Sequence, residues 1–103
     1  MSIQNANLTT TTSNIYVSSG STAAMTFYFS NYTTSSNVTF SLWAVPSGNQ
    51  PGNLNVLYSN IVVVAGDTYV MDRERLFLEN GDRLCGYANA NNTISCTLTY
   101  TTV

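Results

Sequence analysis

"TAAMTFYFSN" (22–31) and "NVTFSLWAV" (37–45) set the reading of the whole chain. In the first, Met25, Phe27 and Phe29 alternate with Thr26, Tyr28 and Ser30. In the second, Val38, Phe40 and Leu42 alternate with Thr39, Ser41 and Trp43. A period of two in aromatic and β-branched residues belongs to strands with one face buried and one solvated. The polar "YTTSS" (32–36) between them is short enough for a hairpin loop. Pairing Asn31 with Ser36 then sets Phe29 opposite Val38, Phe27 opposite Phe40 and Met25 opposite Leu42, all on one face.

Working outward, the same pattern recurs. "NLTTTT" (7–12) and "NIYV" (14–17) precede the turn "SSGS" (18–21). "VPSGNQPGN" (45–53) holds both prolines and ends a strand in a longer loop. "LNVLYSNIVVV" (54–64), the turn "AGD" (65–67), "TYVM" (68–71) and "RLFLE" (75–79) follow. After the turn "NGD" (80–82) the chain closes with "RLCGYA" (83–88) and "TISCTLTYTT" (93–102). No stretch has helical periodicity with caps. The fold class is all-β: an antiparallel β-sandwich of about seven to nine strands, jelly-roll or immunoglobulin-like. A chain of 103 residues fits one such domain, residues 1–103, with 1–13 as an N-terminal arm or edge strand.

Composition narrows the functions. Hydrophobic residues make up 44% of the chain and charged ones 8%, which is apolar enough to offset the entropy of ordering. A net charge of −2 with three Arg and no Lys supplies no basic surface for nucleic acid. The longest apolar run, "IVVVA" (61–65), suits a buried strand and is far short of a membrane span. The first residues, "MSIQNANLTT", carry no basic and then apolar signal for export.

Chemistry is poorly provided for. Histidine is absent, which removes the commonest general base, and without lysine no Schiff base forms. The carboxylates Asp67, Asp72, Glu74, Glu79 and Asp82 are interleaved with Arg73, Arg75 and Arg83. Glu74 and Glu79 would be the pair for glycoside hydrolysis, but strand residues five apart face opposite ways. "ENGD" (79–82) lacks the spacing of a calcium loop. The expectation is no catalytic residue, no metal and no cofactor. Glycosylation-type triplets at Asn7, Asn31, Asn37 and Asn91 are no more than this Asn- and Thr-rich composition produces by chance.

Cys85 and Cys96 flank "ANANN" (88–92), which reads as a hairpin tip. A two-residue loop at Ala90 and Asn91 would set them directly opposite, where a cross-strand disulfide is feasible. A loop one residue longer aligns Leu84 with Cys96 and leaves two buried thiols. Spacing alone leaves both readings open. Two cysteines without histidine make no zinc site.

The outward positions suggest contact with other molecules. If Phe27 and Phe29 face the core, Tyr28 faces out; by the same alternation Trp43 and Val45 face out, as does Phe77 between Leu76 and Leu78. An outward Trp or Phe is either covered by a loop or part of a subunit or partner interface, where aromatic residues are enriched and lysine is depleted. The first 66 residues carry no Asp, Glu, Lys, Arg or His, so apart from Asp67 the charge is gathered in "MDRERLFLENGDR" (71–83). Arg73, Glu74 and Arg75 alternate in sign there. Such a segment either lies solvated on an edge, where it blunts indiscriminate pairing, or fixes the register of neighbouring copies. Candidate interface residues are therefore Tyr28, Trp43, Arg73, Glu74, Arg75 and Phe77.

"VAGDTYVMDRERLFLENGDRL" (64–84), with "LWAVPSG" (42–48) upstream, resembles small β-rich virion structural proteins of tailed bacteriophages. The resemblance covers most of residues 14–102 and rests on turns and strand patterns. It implies a subunit that decorates the capsid or belongs to the tail, baseplate or fibre. Its partners would be copies of itself in a trimer or other closed ring, and virion proteins such as the major capsid protein. It further implies assembly in the host cytoplasm, and it carries no catalytic residues to transfer. The Cys pair is not part of the pattern. A carbohydrate-binding module contacting the host surface is the alternative, with Tyr28, Trp43 or Tyr32 as stacking platform.

Overall fold

A computed structural model describes residues 2–71 and 76–102, the side chain of Met25 excepted. Among them are nine strands: β1 (Ser2–Asn7), β2 (Ser13–Val17), β3 (Thr22–Asn31), β4 (Val38–Val45), β5 (Val56–Val63), β6 (Thr68–Met71), β7 (Leu76–Leu78), β8 (Arg83–Ala88) and β9 (Ile94–Thr102). They form two antiparallel sheets packed as a sandwich. Sheet A has the order β1-β9-β3-β6, with β7 also on β3, and sheet B the order β2-β8-β4-β5.

The order follows one rule. β4 pairs with β5, β3 with β6 and β7, β2 with β8, and β1 with β9. The chain is therefore a long hairpin with its bend in residues 46–55, and each successive pair lies further from that bend. Rolling this ribbon adds the seams β3·β9 and β4·β8 and yields the jelly roll. The immunoglobulin-like order does not arise. Successive strands then alternate between sheets, except at the bend and between β6 and β7.

That alternation corrects the expected hairpin of residues 22–45. β3 and β4 lie in different sheets, so Phe29 and Phe40 meet across the core, stacked with centroids 4.1 Å apart. The alternation of apolar residues specifies a buried face but not which neighbour supplies the backbone partner. What turns the chain is Asn31, only 1% exposed. Its Nδ2 donates to the carbonyls of Ser36 and Val63, each at 2.8 Å, and its Oδ1 accepts from Thr33 N at 3.0 Å and Thr33 Oγ1 at 2.7 Å. Its backbone N–H donates to Asp67 O, while its carbonyl accepts from Gly66 N. Gly66 takes φ +77°, a region that favours glycine. One side chain thus ties the β3–β4 corner to the end of β5.

Strand ends differ from expectation too. Residues 7–12 leave the strand at Asn7, and Leu8 turns fully into the core. It is accommodated by Gly86, where a Cβ would lie 2.5 Å from Leu8 Cδ2. The strand before it, β1, is an edge strand on β9. In β3 the register to β9 shifts between Ala24 and Thr26, so Ala24 and Phe27, an odd number of positions apart, both belong to the core. The core joins Phe27, Phe29, Phe40, Leu42, Leu84 and Leu98, all at most 1% exposed. Tyr58 packs edge-on against Phe40 and Tyr69, and Tyr69 is tilted against Phe40.

Asn31→Ala removes both Nδ2 hydrogen bonds to carbonyls, the one to Val63 O being buried, and the acceptor of the Thr33 N–H. It is expected to cost about 2–4 kcal/mol and lower Tm by at least ~10 °C. Asn31→Asp, which sets an acceptor against those carbonyls, should cost no less near neutral pH. Thermal and urea unfolding followed by circular dichroism measure both.

Candidate functional site

The registers fix what each face presents. On the outside of sheet A, Tyr28 lies between Val70 of β6 and Thr97 of β9. Phe77 lies beside Ala23, with Thr101 beyond it, and Ile3 lies beside Thr99. Between these apolar groups run short hydroxyl and amide side chains. Ser30 Oγ and Thr68 Oγ1 share a hydrogen bond of 3.0 Å, and Thr97 Oγ1 donates to Asn5 Oδ1 at 2.8 Å. Such cross-strand pairs let a solvated face keep order without charge. Phe77 is 73% exposed, Ile3 66%, Val70 45% and Tyr28 39%.

Charge is confined to the ends of the strands among the described residues. Asp67 is in the β5–β6 turn, and Glu79 and Asp82 are in the β7–β8 turn. The Asp82 carboxylate accepts from Ser47 N and Glu79 N, both at 2.9 Å, so it serves as a brace between the bend and this turn. Arg83 begins β8, and its Nη2 donates to Asn49 O at 2.6 Å. Its Nε is buried with no acceptor among the described residues. A small apolar cavity of about 150 Å³ opens between residues 44–46 and 76–78 beside Asp82. Among the described residues no three His, Cys, Asp or Glu side chains come together.

The sequence candidates are thereby divided. Tyr28 and Phe77 share the outer face of sheet A. Trp43 projects from sheet B, half-buried, opposite Val56 and Cys85. Val45 keeps the outward side it shares with Trp43, since β4 pairs with β8 without a register break from Phe40 to Val45 and Val45 lies outside the core cluster, but it is only 1% exposed and so is covered there. Arg73, Glu74 and Arg75 lie outside the described residues. Tyr28, Trp43 and Tyr32 form no common stacking platform, since the first two are on opposite sides of the sandwich. Exposed apolar residues missed by alternation alone are Ile3 and Val70 on sheet A, Val17, Leu57, Val62 and Val64 on or next to β2 and β5, and Leu54 at the bend, fully exposed.

The cysteines are free thiols. The hairpin that would oppose them does not form, because β8 and β9 lie in different sheets. Cys85 sits outside the core cluster, 1% exposed, its Sγ donating to Asn14 Oδ1 at 3.3 Å. Cys96 sits inside the core between Ala6 and Phe29, where burial pushes its pKa up from 9.0 to about 12. The unfolded chain therefore releases this proton first. The contribution of the protonated thiol to stability is whole below about pH 9 and is lost as pH rises toward about 12.

Compared with known proteins, the chain matches no family model, no curated protein and no solved structure.

Between about pH 8 and about pH 10.5, wild type should lose about 2 kcal/mol more stability than Cys96→Ala. Urea titrations at the two pH values measure this difference, and the tyrosines common to both proteins cancel.

Proposed function

We propose that this chain is a non-enzymatic virion structural subunit of a tailed bacteriophage, a capsid decoration protein that works in repeated copies. The observation that carries the reading is the outer face of sheet A. It is uncharged from edge to edge among the described residues and displays Ile3, Tyr28, Val70 and Phe77 at once. A monomeric surface scatters its exposed apolar groups; a face that collects them over four strands marks a contact. The molecule measures 40 × 27 × 20 Å, so a broad face can supply the ~800 Å² per partner of a standard interface. The resemblance of residues 42–48 and 64–84 to virion proteins supplies the setting, and a sequence without histidine or lysine suits a subunit whose work is to pack.

Neutrality has a use in such an assembly. In a closed ring each face packs against a different surface of the next copy, and an uncharged face brings no unpaired charge to be desolvated there. Hydroxyl and amide groups avoid that cost while still hydrogen-bonding.

Native mass spectrometry tests the reading. Wild type should give a discrete trimer or other closed ring, alone or on shells from the particle that encodes it. Tyr28→Glu and Phe77→Glu should each shift it to monomer and weaken shell binding by tenfold or more, at an unchanged melting temperature. A wild-type monomer that also ignores the shells would refute it.

A further inference from the structure

The end of the sandwich opposite the bend is built unlike either face. Four loops meet there: 8–12, 32–37, 64–67 and 89–93. Backbone bonds stitch them together, from Leu8 N to Ile94 O, from Ala88 N to Thr9 O, from Tyr32 N to Thr93 O and from Gly66 N to Asn31 O. Asparagine side chains complete the bracing. Asn91 Oδ1 accepts from Thr10 N at 2.9 Å, Asn89 Oδ1 from Thr39 N at 3.2 Å and Asn37 Oδ1 from Ala65 N at 3.4 Å.

In each of these three the acceptor oxygen is consumed, so the carboxamide is fixed in orientation. The Nδ2 donor is then the part left over, and all three residues are exposed. Tyr32, in the 32–37 loop of the same end, is 50% exposed and is anchored through its backbone to Thr93 and through its hydroxyl to Asn7 Oδ1 at 3.4 Å. The end therefore presents a held aromatic ring and several oriented N–H donors among threonine and serine hydroxyls.

We propose that this loop end binds a neutral saccharide, with Tyr32 stacking on the C–H face of a pyranose ring and Asn37, Asn89 and Asn91 donating to its oxygens. Charge selects the ligand class. Asp67 is the only charged residue among these loops, so a phosphate or other anion meets a carboxylate and no cation, whereas a neutral polyol meets no such penalty. Pre-bracing lowers the entropy that binding would otherwise lose. An aromatic body with small polar neighbours is the composition of adaptable recognition surfaces. The site is distinct from the outer face of sheet A, and the proposal stands or falls independently of assembly.

Saturation-transfer NMR with neutral glucose-, galactose- and mannose-based oligosaccharides tests it. Saturation should pass to pyranose C–H protons of at least one of these sugars. Tyr32→Ala should weaken that binding about tenfold, and Asn91→Asp, which keeps an acceptor for Thr10 N but removes the donor, should weaken it as well. Tyr28→Ala, on the sheet face, should bind as wild type. Melting curves on the same samples identify any variant that has merely unfolded. No transfer to any of the sugars, or equal losses in Tyr32→Ala and Tyr28→Ala, overturns the proposal.

Discussion

The fold depends on a carboxamide buried where two sheets meet. Everything that distinguishes a rolled ribbon from a flat meander is decided at corners, and the corner after β3 is the one where the long central strand must leave sheet A. A turn buried there would strand backbone carbonyls in the core. Asn31 meets the buried carbonyl of Val63 and the turn carbonyl of Ser36 with one NH2 group and spends its oxygen on Thr33. No apolar residue of the same size does this, and a carboxylate has the wrong polarity. With the corner set, Phe29 and Phe40 face each other across the sandwich instead of side by side, and the remaining aromatic cluster forms around that stack.

The near absence of charge has a coherent structural meaning. Strand faces solvated by carboxylates and ammonium groups resist association; faces solvated by threonine, serine and asparagine do not. The same residue types are used in two ways. On sheet A they hydrogen-bond one another across strands and leave a quiet background around the apolar groups. At the loop end they brace the backbone and are themselves oriented by it. Asp82, by contrast, is spent on holding the bend against the β7–β8 turn, which makes a charged residue here as structural as any asparagine.

Much of this was legible in the sequence, and the failures have physical causes. Alternation located β3, β4, β8 and β9 and put Phe27, Phe29, Phe40 and Leu42 inside, because burial of one face imposes a period of two on any strand. Partner identity was not legible: a hairpin and a corner use similar polar residues, and the difference rests on Asn31, which reads as an ordinary loop residue until its burial is known. The opposed cysteines failed for the same reason, since "ANANN" joins strands of different sheets. Alternation also broke at the β3 register shift, which brought Ala24 and Phe27 to one side, and alternation alone did not reveal that outward Val45 is covered. Tyr28 and Phe77 were placed correctly as outward residues, but that they share a face with Ile3 and Val70 could be known only from strand order.

The nested pairing has a consequence for how the chain comes together. Only β4 and β5 are close in sequence, and every later pair closes a longer loop, ending with Ser2 opposite Tyr100. Loop-closure entropy and the dependence of each pair on the one before favour zippering outward from the bend. β1, exposed along nearly its whole length, is then the last strand seated and the one secured by least burial. Its slot beside β9 can be filled equally well by the first strand of another copy, with identical hydrogen bonds. An exchange of arms between neighbours is thus the covalent-free tether that this topology offers at the smallest loss of native contacts.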